Sequence, residues 1–222
     1  MRIGCFLLLW LIACGGDEPT PKTTQSRSES PAPAPPSIPA DAPLVAFLGD
    51  SISAGLHLPD DEAFPAVLQR VLLKKGKPFR LLNAGHSGDT TAGGLSRITW
   101  LLQSKPDIVV VELGGNDGLR GLSTEEMRKN LDGIVTAIRD AGAKPVLLGM
   151  RIPTSYGQDY TKAFASVFEE IASKYALPFV PFFMEPIAGN PDLFLEDQLH
   201  PNPEGHRKLA AHILPTLEKV LS

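Results

Sequence analysis

A chain of 222 residues that is 43% apolar and 21% charged can bury one sizeable core, and its composition is neither that of a disordered chain nor that of a membrane-embedded one. Its net charge of −4, with acids and bases interspersed, lacks the basic footprint that a nucleic-acid partner requires. Both cysteines, Cys5 and Cys14, fall near the start, which excludes a disulfide framework, a thiolate metal site and a cysteine nucleophile from the rest of the chain.

In chain order, residues 1–13 read as a signal peptide: Arg2 supplies the positive start and Ile3 to Ile12 an apolar run. The run is too short to span a bilayer, which takes about 20 residues. It ends in Leu11-Ile12-Ala13-Cys14, which resembles the bacterial lipobox, whose cysteine is lipidated and becomes the first mature residue. The resemblance implies an extracytoplasmic, lipid-anchored protein of the cell envelope. With Gly15 rather than Asp after the cysteine, the outer membrane is expected in a Gram-negative cell. Residues 14–42 are rich in Pro, Ser and Thr without apolar period, and read as a disordered tether.

Residues 43–222 alternate short apolar runs with helical periods. Strands are expected at Leu44–Leu48, Phe79–Asn83, Ile108–Leu113, Pro145–Gly149 and Phe179–Phe183. Between them, helices are expected at Phe64–Leu73, Thr91–Gln103 and Tyr160–Tyr175, and from the capping box Ser123-Thr124-Glu125-Glu126 to about Ala141. A last helix should open at Asn202-Pro203-Glu204, with Pro215 kinking or shortening it. Strands separated by helices imply βαβ units, hence a five-stranded parallel sheet in a three-layer α/β/α domain.

In such sheets ligands bind at the carboxyl ends of the strands. Those ends carry Gly49-Asp50-Ser51-Ile52-Ser53, Ser87-Gly88-Asp89-Thr90, Gly114-Gly115-Asn116-Asp117 and, further on, Asp197-Gln198-Leu199-His200-Pro201-Asn202. A serine becomes a nucleophile only when a base takes its proton. His200 is the candidate base, and Asp197, three residues earlier, can hold its other ring nitrogen. A developing oxyanion needs donors already in place, here the backbone N–H groups of Ser51 and Gly88 and the carboxamide of Asn116. Asp50 and Asp117 are read as structural hydrogen-bonding groups, and His57, His86, His206 and His212 as surface or core residues without a role. No metal motif and no phosphate loop is present.

The blander readings make Ser51 a turn or cap serine, Asn116 a turn residue and Asp197 a surface acid; four clusters converging on one rim weigh against them. Together the four blocks resemble those of the GDSL or SGNH hydrolases, with a flavodoxin-like fold. Val111-Glu112-Leu113-Gly114-Gly115-Asn116-Asp117-Gly118-Leu119-Arg120 and Pro181-Phe182-Phe183-Met184-Glu185 are most similar to the bacterial acyl-CoA thioesterase I, lysophospholipase and arylesterase branch. The resemblance implies a serine esterase or thioesterase acting on lysophospholipid, acyl thioester or aryl ester through an acyl-Ser51 intermediate. It also implies that Ile152 and Pro153, after the fourth strand, help wall an acyl groove. The alternatives are a carbohydrate acetylesterase of the same superfamily and an inactive binding module on the same scaffold. Expected partners are the acyl ester or lysolipid and, through Cys14, a membrane. No cofactor, metal or nucleic acid is expected, and the chain should act as a monomer.

Overall fold

The computed structural model describes residues 37–222; the expected signal peptide, Cys14 and most of the expected tether lie outside the described residues. Five parallel strands, β1 (Leu44–Gly49), β2 (Arg80–Gly85), β3 (Ile108–Glu112), β4 (Lys144–Leu148) and β5 (Phe179–Val180), form one sheet in the order β2-β1-β3-β4-β5. The helices are α1 (Ser51–Ala54), α2 (Phe64–Lys74), α3 (Thr91–Leu102), α4 (Gly115–Leu119), α5 (Thr124–Asp140), α6 (Gln158–Tyr175) and α7 (Pro203–Val220). Helices α3, α5 and α6 pack side by side, and α2 packs on α7, so the sheet is covered on both faces. That explains why β1 and β3 are apolar without alternation: both their faces are core.

Chain connections leave β1 toward β2 on one side and cross to β3 on the other, so the strand order reverses between β1 and β3. Gly49 pairs with Glu112 at the carboxyl end of that pair, and the crevice opens there.

Three expectations need correction. The fifth strand is two residues long, not five, because Pro181 has no N–H for the ladder; the chain bends there and rejoins the sheet only through the Phe183 N–H on the Gly149 carbonyl, 2.8 Å. Pro215 does not shorten the last helix, which continues to Val220. Pro215 and Ala211 both face solvent, so water can satisfy the carbonyl that the missing N–H leaves free. Two stretches expected as loops, at Ser51 and Asn116, are single-turn helices, too short for any apolar period. The capping expectations stand: the Ser123 hydroxyl accepts from Glu126 N–H, and Asn202 Oδ1 accepts from Gly205 N–H at 3.0 Å.

Candidate active site

Ser51 is the first residue of α1, immediately after β1. Asp50 caps that helix with Oδ1 accepting from Ile52 N–H at 2.9 Å, and Gly55 closes it with φ 68°. The turn is tight: a Cβ on Gly49 would stand 2.0 Å from Ser53 Oγ and 2.7 Å from Glu112 Oε2, so only glycine fits between nucleophile turn and sheet.

His200 arrives on a closed loop. Leu195 N–H bonds the His200 carbonyl at 2.8 Å, Phe194 and Pro201 form an antiparallel bridge, and Gln198 takes a positive φ of 56° to turn the chain between them. Within that loop Asp197 Oδ1 accepts from the Leu199 and His200 backbone N–H groups, both at 2.9 Å, while Oδ2 meets His200 Nδ1 at 2.6 Å. His200 Nε2 then lies 2.9 Å from Ser51 Oγ. The three groups read from the sequence thus form an unbroken hydrogen-bonded chain across 149 residues of sequence. The His200 backbone N–H, its ring and the Leu199 N–H hold the Asp197 carboxyl well below the usual carboxylate range, in that order of weight. A carboxylate so held keeps its charge and can stabilise an imidazolium beside it.

Gly88 has φ 83°, a conformation that favours glycine, in the loop after β2. That loop is fastened twice: His86 N–H bonds the Gly49 carbonyl at 3.0 Å, and Arg97 donates to Asp89 Oδ2 (2.6 Å), the Ala84 carbonyl (2.7 Å) and the Gly49 carbonyl (3.0 Å). Asn116, on α4, donates Nδ2–H to Asp50 Oδ2 at 3.1 Å and to the Asp89 carbonyl at 2.9 Å. Ser51, Gly88, Asn116 and His200 all line one groove of about 330 Å³, whose walls include Leu119, Met150, Ile152, Pro153, Met184 and Leu199. The sequence-read groove residues Ile152 and Pro153 are therefore beside the others. The arrangement presents an activated hydroxyl at the polar floor of an apolar cleft, which suits acyl transfer from an ester with a hydrocarbon portion.

Glu112, which sequence reasoning passed over, lies beneath the nucleophile. It is fully buried at the end of β3, and its Oε2 accepts from Ser53 Oγ (2.7 Å), Ser53 N–H (3.2 Å) and Asp50 N–H (3.4 Å). Burial raises its carboxyl well above the usual range, with Asp50 adding to the effect. Its signal in the sequence is a lone acid closing an otherwise apolar strand. Burial also pushes the Asp50 carboxyl up to about 6, against the opposing pull of Ile52 N–H, His200 and Asn116. Asp117 is structural as read, accepting from Thr91 N–H at 2.9 Å and Thr91 Oγ1 at 2.5 Å. Of the histidines given no role, His206 is core, His212 is half-buried with Nε2 3.2 Å from the Phe182 carbonyl, His86 is exposed, and exposed His57 stands edge-on to His200 with ring centroids 6.3 Å apart. Among the described residues no cluster of His, Cys, Asp or Glu is arranged to hold a metal ion.

A crevice at the β1–β3 reversal with a Ser–His–Asp chain defines a serine hydrolase scaffold of the α/β/α kind. Residues 47–208 match the GDSL-like Lipase/Acylhydrolase family, and the chain belongs to that family, whose members are hydrolases of ester bonds. It is 40% identical to Esterase TesA of Pseudomonas aeruginosa over 183 residues, 82% of this chain and 91% of that protein. It is 36% identical to Thioesterase 1/protease 1/lysophospholipase L1 of Escherichia coli K12, over 82% of this chain and 87% of that one. The psychrotrophic esterase EstA from Pseudoalteromonas sp., solved with monoethylphosphonate as inhibitor, superposes with a TM-score of 0.76 at 35% identity, over 80% of this chain and 97% of that one.

Proposed function

We propose that this enzyme cleaves fatty-acyl esters and thioesters through an acyl intermediate on Ser51. The observation that carries the reading is the chain Asp197–His200–Ser51 at the floor of an apolar groove. Ser51 Oγ adds to the acyl carbonyl carbon while His200 Nε2 takes its proton, and Asp197 holds the imidazolium. The oxyanion is received by Ser51 N–H, Gly88 N–H and Asn116 Nδ2–H. Collapse expels the alcohol or thiol, which takes the proton from His200. Water then attacks the acyl carbon with His200 again as base, releasing the fatty acid and restoring the hydroxyl.

The names of the two relatives, an esterase and a thioesterase–lysophospholipase, support this substrate range. Cys14 is read as the lipid attachment point of an envelope protein that acts as a monomer outside the cytoplasm. There acyl-CoA is scarce, so lysophospholipids and other exogenous lipid esters are the substrates proposed. Wild type and Ser51→Ala are to be compared on acyl esters of increasing chain length, with fluorophosphonate labelling alongside. Labelling of wild type alone and a rise in kcat/KM from acetyl to octanoyl are expected. Preference for acetyl would turn the case toward a carbohydrate acetylesterase, and absence of labelling would sink the serine mechanism. For the anchor, Cys14→Ser should move the protein out of the detergent phase; equal partitioning of the two would refute it.

A further inference from the structure

Both hydrogens of the Asn116 carboxamide are already committed, one to the Asp50 carboxylate and one to the Asp89 carbonyl. Both partners can only accept, so Nδ2 and not Oδ1 has to face them; a flipped amide would set Oδ1 against two acceptor oxygens. The Asp89 carbonyl belongs to a loop fastened to β1 and β2 through Arg97. Asp50 is 3% exposed, and its second oxygen is occupied by the Ile52 N–H at the start of the helix that bears Ser51. A single carboxylate therefore ties the turn carrying the nucleophile to the side chain on α4 that faces the same groove. Helix capping alone needs only one of its oxygens, and the second makes no contribution to α1.

We propose that Asp50 is a positioning residue of the oxyanion hole, holding the Asn116 carboxamide in the one orientation that offers N–H to the reacting carbonyl oxygen and fixing its distance from Ser51. The inference rests on Asn116 being an oxyanion donor, as read above. In the transition state the carboxamide shares an N–H between its resting acceptor and the oxyanion, so the amide need not turn when charge develops. That is the preorganisation on which such donors depend.

Asp50→Asn separates the two roles of the carboxylate. Asparagine is isosteric and an equally good helix cap, so Ile52 N–H keeps its acceptor, but the other arm of the new amide presents N–H to the N–H of Asn116. Turnover on a soluble aryl ester should fall about tenfold or more, bounded by the roughly 10²–10³-fold loss of a whole oxyanion donor, while KM changes less than about threefold. Asp50→Ser, which can cap but cannot reach Asn116, should behave alike. Because Asp50 acts through Asn116, adding either Asp50 substitution to Asn116→Ala should lower kcat by less than about threefold further, although Asn116→Ala alone costs about a hundredfold or more. Independent, multiplying losses would overturn the positioning role and leave Asn116 as a donor. A kcat of Asp50→Asn within about threefold of wild type, or above it, would also overturn the role. If Asn116→Ala by itself costs under about threefold, the oxyanion assignment falls and the positioning role with it.

Discussion

His206 should make the folded protein lose stability in mild acid. It lies on α7 with 1% of its surface exposed, its ring is stacked 12° from parallel on Phe64, and its Nδ1 accepts the Phe64 N–H at 3.1 Å. Phe64 opens α2, whose own N-cap residue Ala63 offers no side-chain acceptor, so the imidazole caps a helix from across the fold. Protonating Nδ1 would press N–H against N–H in an apolar setting. Burial, and then the neighbouring His200, hold its pKa down to about 4 from the usual 6.5. A base with a depressed folded pKa contributes stability that is complete above its unfolded value and is lost as pH falls toward the folded one. Between about pH 7.5 and pH 5 the loss amounts to roughly 2 kcal/mol, from the ratio of protonated populations in the two states. Other groups titrate in the same interval. The raised carboxyls of Asp50 and Glu112 contribute stability at low pH that fades as pH rises, so the total profile is a compromise of opposing slopes. A difference measurement removes them. His206→Asn keeps an acceptor for Phe64 N–H and does not titrate. Urea unfolding of both proteins at the two pH values should show the stability gap moving about 2 kcal/mol in the variant's favour at the lower pH. A gap constant to within about 0.5 kcal/mol would refute a neutral, buried His206.

The remaining expectations concern the groove and its floor. Asp197→Asn replaces an acceptor at His200 Nδ1 with a donor and forces the wrong tautomer, so kcat should drop about 10⁴-fold in steady-state assays with little change in melting temperature; a loss under about tenfold would separate Asp197 from the chemistry. Gly49→Ala pushes a methyl into Ser53 Oγ and Glu112 Oε2 and should cost about 3 kcal/mol by denaturant titration together with activity. Unchanged stability would show that the turn can yield. Ile152→Trp fills part of the groove and should cut kcat/KM for octanoyl relative to acetyl esters by about tenfold; an unaltered ratio would place the acyl chain elsewhere.

What could be read from the chain was governed by the range of the interaction involved. Strands such as Ile108–Glu112 and the cap at Asn202 are written in adjacent residues, so composition and spacing reveal them. Strand order is not: the β1–β3 reversal arises from pairings between runs some sixty residues apart, and only the convergence of the four polar blocks hinted at it. The groups read as Ser51, His200, Gly88, Asn116, Ile152 and Pro153 do meet in one groove, with Asp197 behind His200, because each follows a strand end or sits on the loop before α7. Glu112 and His206 escaped for a different reason. A single acid at the end of a strand and a single histidine in an amphipathic helix have ordinary surface explanations, and only burial distinguishes them. The part played by Asp50 was visible as hydrogen bonding but not in its second partner, which comes from sixty-six residues away.

The acids around this site are sorted by environment. Asp197, at the rim, is partly exposed and receives two backbone N–H groups besides the imidazole, so it stays ionised through the working range. Asp50 and Glu112, behind the nucleophile, are buried and raised. Three full negative charges within reach of a forming oxyanion would oppose it strongly in a medium of low polarity. Burial favours the neutral form of Glu112, Asp50 directs its charge onto the Ile52 N–H and the Asn116 carboxamide, and the charge of Asp197 lies on the far side of His200, where the imidazolium forms. Placing the ionised acid behind the base and the reluctant ones behind the serine lets one small crevice hold three carboxyl groups and still stabilise an anion.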